Sequence, residues 1–314
     1  MRFSVSAVAL VAVAAAVLGW GRRGAVSEAR QAYWAETQAR SGQEVRLLME
    51  LPSRIRESSG VLVSSVNPGV FWTHNDSGGE PVLYGVRPDD GSIVELRLNR
   101  APASDWEDLD DGPCPHAPLE PCLFVGDIGD NLGRRESVTV LVVAEPRLPA
   151  VAPPYLSGEW RAATLKYPSG PRDAEALVVS EAGVVRIVTK GREGEHGVYR
   201  APADFLRRQG SEPVDLLPDG RLPLVPVLWL GRVVTAGADW AGGIAVRTYT
   251  EVYLFGQGPG GWEATAVPCV VAPLGPAGEG LDIGPDGTVY LSREATRVAP
   301  AALEAVDCGF SPGP

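Results

Sequence analysis

The chain has 314 residues, of which 45% are apolar, 37 are glycine and 28 are proline. This length allows one large all-β domain or two ordinary domains, and the many turn-forming residues favour the all-β domain. Because 39 acidic residues outnumber 28 basic ones, the composition argues against nucleic acid as a partner and favours cations.

The N-terminus has the pattern of an export signal. Residues 3–20 are almost wholly apolar and follow Arg2, and small residues at Ala25 and Ser27 predict signal-peptidase cleavage after Ser27. The alternative is a retained membrane anchor, since about 18 apolar residues are just enough to span a bilayer. Either interpretation predicts an extracytoplasmic protein (secreted, periplasmic or on the cell surface). Contact with a membrane is expected only through residues 1–27, and only if they are not cleaved. Residues 28–43 are interpreted as a polar tether or short helix before a domain at 44–314.

Short strands separated by turns then repeat with a period of roughly 40–50 residues, which indicates a single β-propeller. The predicted blades span 60–98, 106–167, 174–217, 233–271 and 280–306. The segment 44–51 resembles a strand without a neighbour in sequence, so it is expected to complete the last blade and protect its edge. Five blades are predicted; six is the alternative if 213–230 contains a degenerate blade. A β-sandwich also has short strands, but it does not explain the repeated acids described below.

The four cysteines predict two disulfides in an exported chain. Cys114 and Cys122 flank a proline-rich loop, so a local bridge is expected between them. Cys269 would then pair with Cys308 and fasten the C-terminal tail to the preceding blade. Zinc is the competing interpretation, but the pairs lack the two-residue spacing typical of zinc ligands.

Two series of polar residues are expected at one mouth of the central channel. Acids precede the innermost strand of each blade, at Glu57, Glu107, Glu175, Asp239 and Glu279. Polar residues also follow the second strand of each blade, in the segments 74–76, 127–131, 189–190, 247–249 and 293–294. Strand direction alternates within an antiparallel blade, so both series lie at the same edge.

Carboxylates crowded around a narrow mouth need a positive partner. The sequence therefore predicts a divalent cation, Ca²⁺ first and Mg²⁺ or Mn²⁺ as alternatives, because Ca²⁺ takes six to eight oxygen ligands. The predicted ligands are Asp76, Glu107, Asp130, Asn131, Glu175 and Glu279. Basic residues on the same face predict a small anionic molecule as partner, with His74, Lys190 and Arg247 as the substrate-binding residues.

Simpler interpretations stay open for these residues. Acids at blade junctions often accept backbone amides and stabilise turns without a catalytic role, and His74 also fits a packing role. A nucleophilic triad is disfavoured, because the chain has three histidines and contains neither a Gly-x-Ser-x-Gly elbow nor a phosphate-binding loop.

Four motifs within residues 55–295 resemble those of uncharacterised exported bacterial β-propeller proteins. They are the segments 72–79 (WTHNDSGG), 105–109 (DWEDL), 125–131 (VGDIGDN) and 172–177 (RDAEAL). The layout is more distantly similar to phytase-like, esterase-like and gluconolactonase-type propellers, which use metal-bound acids at the channel mouth. The resemblance implies a propeller and suggests a metal-dependent hydrolase, and no catalytic residue is carried over from those enzymes. The acid series itself predicts hydrolysis of an ester, lactone or phosphate ester with Glu107 and Glu175 as catalytic residues. The alternative is a non-catalytic propeller that binds a protein, glycan or small ligand on the same face.

Overall fold

A computed structural model describes residues 44–310 except 116, 150, 152, 193, 208–211, 227–228 and 272–276. The expected signal or anchor (1–27) and tether (28–43) lie outside the described residues. The described part consists mainly of β-strands and their connecting turns, with a 3-10 turn at Trp229–Arg232. No helix in this part has the length and apolarity that crossing a membrane requires.

The strands form five sheets in a β-propeller, as predicted, and are numbered in chain order. The first strand, β1 (Arg46–Glu50), belongs to the last blade. Blade 1 contains β2 (Ser58–Val63), β3 (Phe71–Asn75), β4 (Val82–Val86) and β5 (Ile93–Arg97). Blade 2 contains β6 (Trp106–Cys114), β7 (Ala117–Asp127), β8 (Val138–Ala144) and, after the short β9 (Tyr155–Ser157), β10 (Trp160–Lys166).

The remaining blades follow the same order from the axis outward. Blade 3 contains β11 (Ala174–Val179), β12 (Val185–Thr189), β13 (Gly197–Arg200) and, after the short β14 (Val214–Asp215), β15 (Leu217–Arg221). Blade 4 contains β16 (Val234–Trp240), β17 (Gly243–Thr248), β18 (Glu251–Gly258), β19 (Gly261–Ala264) and β20 (Cys269–Val270). Blade 5 contains β21 (Gly278–Ile283), β22 (Thr288–Arg293) and β23 (Ala302–Asp307).

The chain closes on itself in blade 5. The N-terminal strand β1 pairs antiparallel with β23, with Arg46 opposite Ala305 and Glu50 opposite Ala302. The innermost strands β2, β6, β11, β16 and β21 contact one another in a closed ring. The predicted use of residues 44–51 to complete the last blade is therefore confirmed, and the outer edge of β23 is covered.

The hydrophobic core is divided among the five interfaces between neighbouring blades. Successive side chains of a strand point to opposite faces of its sheet, so each innermost strand serves two interfaces. In β11, Leu177 packs against blade 2 and Val178 against blade 4. This arrangement explains why every residue of β11 is buried without alternation, and why Trp72 and Trp106 are fully buried between blades 1 and 2.

One predicted strand belongs to a different blade from the one expected. The segment 213–217 is predicted as the fourth strand of blade 3, but β14 pairs in parallel with β10 at the outer edge of blade 2. Burial of Val214 and Leu216 in the core between blades 2 and 3 explains why β14 lies at the edge of blade 2. The fourth strand of blade 3 is β15, paired with β13. The sixth-blade alternative is wrong, because the described part of 213–230 adds only short strands and a turn to existing blades.

Both predicted disulfides are present. Cys114–Cys122 closes the β6–β7 hairpin, and Cys269–Cys308 joins β20 of blade 4 to the segment after β23. All four cysteines are thus used, which rules out the zinc interpretation.

The two bridges are expected to differ in their contribution to stability. They close loops with sequence separations of 8 and 39 residues, for which the chain-entropy model gives about 2.5 and about 4 kcal/mol. Urea unfolding should therefore show a larger loss of unfolding free energy for Cys269→Ser/Cys308→Ser than for Cys114→Ser/Cys122→Ser. The reverse order would mean that loop closure does not govern their effect.

Candidate metal centre at the channel mouth

A β-bulge occurs near the start of every innermost strand. The strand register shifts between Trp106 and Asp108, between Ala174 and Ala176, and at the matching points of the other three blades. The side chains at these bulges belong to Ser59, Glu107, Glu175, Thr235 and Glu279. Bulges interrupt the ladder and re-aim side chains, and they are frequent beside functional sites.

The bulges correct the predicted series of acids at two blades. In blade 4 the bulge position is Thr235, whereas Asp239 pairs with Ile244 near the hairpin at the far end of β16. In blade 1 the bulge begins after Ser58, and Glu57 is exposed just before it. Spacing alone could not distinguish Asp239 and Glu57 from the acids at the bulges, because the strand register is set by pairing with the second strand of each blade.

Five carboxylates meet at the mouth in two groups that share Glu107. Oxygens of Asp76, Asp105 and Glu107 lie within 4.8 Å of one another, and so do oxygens of Glu107, Asp173 and Glu175. The structure thus brings together three of the predicted ligands, Asp76, Glu107 and Glu175. Asp105 and Asp173 are not among the predicted ligands. A detectable signal existed, because Asp-x-Glu occurs at both Asp105–Glu107 and Asp173–Glu175.

The loop after β7 holds the first group in place. The Asp127 carboxylate accepts the backbone amide of Asp105 (3.0 Å) and pairs with Arg135 (2.9 Å), which also donates to the carbonyl of Gly129 (2.7 Å). A β-carbon on Gly129 would lie 2.0 Å from Oε1 of Glu107 and 2.5 Å from Oδ2 of Asp105. Glycine at this position is therefore what allows the loop backbone to approach the two carboxylates.

The carboxyl groups of the site are buried and crowded, which disfavours their ionised forms. Burial, followed by repulsion from Glu175, Asp76 and Asp105, raises the pKa of Glu107 well above its ordinary value. Burial also raises the pKa of Asp76 to about 6 and that of Asp105 above its usual range. Within the described residues, no hydrogen-bond donor contacts the Glu107 carboxylate. Ionising all five acids together is thus unfavourable unless a cation joins them.

One fixed cation, Lys190, partly compensates this charge. Its Nζ donates a hydrogen bond to Oε1 of Glu175, and both side chains are buried. Burial alone would lower the pKa of Lys190, but Glu175, Asp173 and Glu107 outweigh it and raise the value. Burial raises the pKa of Glu175 to about 7, against the lowering effect of Lys190. Lys190 therefore balances one carboxylate, and the rest form an all-oxygen donor set suited to a hard cation.

The other predicted ligands occupy neighbouring positions. Burial is the main cause that raises the pKa of Glu279, and repulsion from the nearby Glu175 raises it further. Glu279 nevertheless belongs to neither group of carboxylates. Asp130 accepts the backbone amides of Arg134 and Arg135 (both 2.8 Å), and Asn131 accepts a hydrogen bond from Arg192. In this structure, Asp130 and Asn131 thus order the loop beside the cluster.

Two predicted substrate-binding residues are fully buried. His74 packs edge-to-face on Trp106, with ring centroids 5.6 Å apart, and burial lowers its pKa to about 4. Arg247 donates through Nη1 to the carbonyls of Gly280 and Ser292 (both 2.6 Å). These contacts place both side chains in the packed wall behind the mouth, and their contact with a substrate stays a prediction.

A separate set of acids stabilises the propeller itself. Asp108 accepts the backbone amides of Leu177 in blade 3 and Gly237 in blade 4 (both 2.9 Å). Asp110 accepts the amide of Val179 (2.7 Å), and Asp282 accepts that of Val63 (2.6 Å), each in the next blade. The simpler interpretation, that the acids accept backbone amides, therefore applies to Asp108, Asp110 and Asp282. These residues follow the bulge positions by one or more residues.

The raised pKa values predict how stability depends on pH without a cation. Burial raises the pKa of Asp76 to about 6 and that of Glu294 to about 7, so the folded protein holds protons that the unfolded chain has released. Stability is therefore expected to fall as pH rises from about 4 to 7. Melting temperatures in chelator should show this decline, and Asp76→Asn/Glu294→Gln should flatten it. A melting temperature that rises over this interval in the wild type would contradict the assignment.

Comparison with known proteins supports the fold. No protein-family model and no curated protein matches the chain. Among solved structures, a luciferin-regenerating enzyme aligns with a TM-score of 0.50 and 10% identity, over 87% of this chain and 97% of that one. A PQQ-bound aldose sugar dehydrogenase from Streptomyces coelicolor aligns with a TM-score of 0.49 and 8% identity, over 85% and 98%. The luciferin-regenerating enzyme is a β-propeller, and at 10% identity the similarity concerns the fold alone.

Proposed function

We propose that the protein is an extracytoplasmic propeller that binds a divalent cation at its acidic mouth and hydrolyses an ester, lactone or phosphate ester there. The observation that carries this proposal is the pair of carboxylate groups sharing Glu107, each within 4.8 Å. The location outside the cytoplasm is supported by the two disulfides, which persist in oxidising compartments.

The donor set favours Ca²⁺, with Mg²⁺ or Mn²⁺ as alternatives. Asp76, Asp105, Glu107 and Asp173 would hold the ion, since carboxylate oxygens are the ligands that hard cations prefer. When bound, such a cation polarises a carbonyl or phosphoryl oxygen and lowers the pKa of water. The proposed partner at this mouth is a small anionic molecule.

Glu175 is the best candidate for a general base. Its pKa is raised to about 7 by burial, and the hydrogen bond from Lys190 fixes its orientation. A base with a pKa near the working pH transfers protons most effectively. Glu175 would accept a proton from the attacking water, while Glu107 beside it contributes to holding the cation.

The two glutamates should be separable by mutation. With a panel of esters, lactones and phosphate esters in Ca²⁺, Mg²⁺ or Mn²⁺, we expect Glu175→Gln to lower kcat by about 10²–10⁴-fold while cation binding is retained. Glu107→Gln should lose both turnover and cation binding. The matched control is Glu80→Gln, which removes an exposed carboxylate from the loop that carries Asp76.

The outcome also discriminates between the two classes of function. Cation binding without turnover on any substrate would establish the non-catalytic alternative, a propeller that binds a protein, glycan or small ligand on this face. Turnover that is unchanged by chelation would overturn the proposed mechanism.

A further inference from the structure

A cavity of about 650 Å³ adjoins the acid cluster over blade 3. Its wall includes Asp173 and Lys190, so it borders the second carboxylate group directly. The loop at 130–133 from blade 2 and the strand β15 of blade 3 form its other sides. A molecule in this cavity can therefore extend to the proposed cation site.

The cavity wall is rich in basic side chains although the chain as a whole is acidic. Arg172, Lys190, Arg192 and Arg221 all line it. Three of these already have acidic partners: Lys190 pairs with Glu175, Arg192 with Asp173 (3.4 Å) and Arg221 with Glu195 (2.9 Å). Their charges are largely balanced within the protein.

Arg172 differs from the other three. Its Nη2 donates to the hydroxyl of Ser169 (3.1 Å), and its Nε is shielded from solvent with no hydrogen-bond acceptor among the described residues. A buried guanidinium nitrogen without an acceptor costs free energy, so a turn of the Arg172 side chain that brings Nε to a carboxylate or phosphate in the cavity would remove that cost. The planar fork of arginine suits such groups, because it can donate two parallel hydrogen bonds.

Tyr199 supplies a partly apolar surface in the same cavity. Its ring is held edge-to-face by the buried Tyr167, with centroids 4.9 Å apart. A ring fixed in this way offers a rigid face on which the cyclic body of a ligand can pack.

We propose that this cavity binds the body of a small cyclic organic anion, with the carboxylate or phosphate held by Arg172 and the ring packed on Tyr199. This inference rests on the proposed function only in placing the reacting ester beside Glu107 and Asp173. It revises the expected anion-binding residues. Arg247 also has nitrogens without an acceptor among the described residues, but it does not line the cavity, and Lys190 lines the cavity but already pairs with Glu175.

Calorimetric titration can test the cavity independently of the cation. The probes are benzoate and phenyl phosphate, with benzyl alcohol as the neutral analogue, each titrated into protein in chelator and in Ca²⁺. We expect both anions to bind in chelator and benzyl alcohol to bind at least about tenfold more weakly. Arg172→Gln should weaken the anions about tenfold or more, because a charge-assisted hydrogen bond is lost.

The controls distinguish the different ways in which the test can fail. Arg134→Gln makes the same charge change on an exposed residue that does not line the cavity, and it should bind the probes as the wild type does. Glu107→Gln should also retain binding in chelator, so failure of the cation proposal leaves this result intact. Equal affinity in wild type and Arg172→Gln, or no anion binding at all, would overturn the inference. Benzoate and phenyl phosphate affinities together decide which anionic group is preferred.

Discussion

Replacing Asp108 with alanine is expected to destabilise the propeller strongly. The fully buried carboxylate accepts three backbone amides, those of Leu109, Leu177 and Gly237, and so joins the innermost strands of blades 2, 3 and 4. Each buried amide left without an acceptor costs roughly 1–3 kcal/mol. For three amides the loss is about 3–9 kcal/mol, which is comparable to the roughly 5–15 kcal/mol by which typical proteins are stable.

Urea unfolding measures this loss directly. Asp108→Asn keeps one acceptor oxygen and should lose less than Asp108→Ala. Asp282→Ala, which frees the amides of Val63 and Ile283, should fall between Asp108→Ala and the wild type. The exposed Asp89→Ala is the surface control. If Asp108→Ala unfolds within about 1 kcal/mol of the wild type, the three hydrogen bonds do not hold the blades together.

Glu107→Gln is expected to abolish stabilisation by a divalent cation. Binding to the folded state alone stabilises a protein by about 2.7 kcal/mol when the free ligand is at a hundredfold excess over Kd. The wild type should gain this in CaCl₂ relative to chelator, whereas Glu107→Gln should gain almost nothing, because Glu107 belongs to both carboxylate groups. In chelator at pH 8 the variant should instead be the more stable of the two. The raised pKa of Glu107 makes the folded wild type hold a proton that the unfolded chain has released at this pH, and glutamine avoids that cost.

The reversal separates a ligand role from simple loss of structure. Glu80→Gln should behave as the wild type does in both conditions. A Glu107→Gln variant that is less stable than the wild type in chelator, yet gains as much from CaCl₂, would show that the cation binds elsewhere.

The architecture could be predicted from the sequence because that information is local and periodic. Turns and short apolar strands recur at a blade-like period, and residues 44–51 form a strand without a neighbour in sequence. The cysteines at 114 and 122 stand close together in the chain. The local pattern predicted the wrong blade for β14, which lies at the edge of blade 2 because Val214 and Leu216 are buried there. Only the packing of neighbouring blades decides such an assignment.

The site could be predicted less completely, because its geometry depends on strand register. A shift of one residue moves a side chain to the other face of a sheet, so acids at similar spacing reach different places. Glu107 and Glu175 lie in bulges and meet at the mouth, whereas Asp108, one residue after Glu107, binds backbone amides between blades. Spacing predicts Asp239 at the mouth, but this residue lies at the other end of its strand.

Diffraction from a crystal grown in Mn²⁺ tests the metal centre most directly. The anomalous difference map should contain a peak at the mouth, within bonding distance of Glu107 and of at least two among Asp76, Asp105 and Asp173. With Ca²⁺ instead, the oxygen distances should be about 2.3–2.6 Å. A mouth without a peak at millimolar Mn²⁺, or a peak bound only by carboxylates elsewhere on the surface, would contradict the proposal that these acids form a cation site.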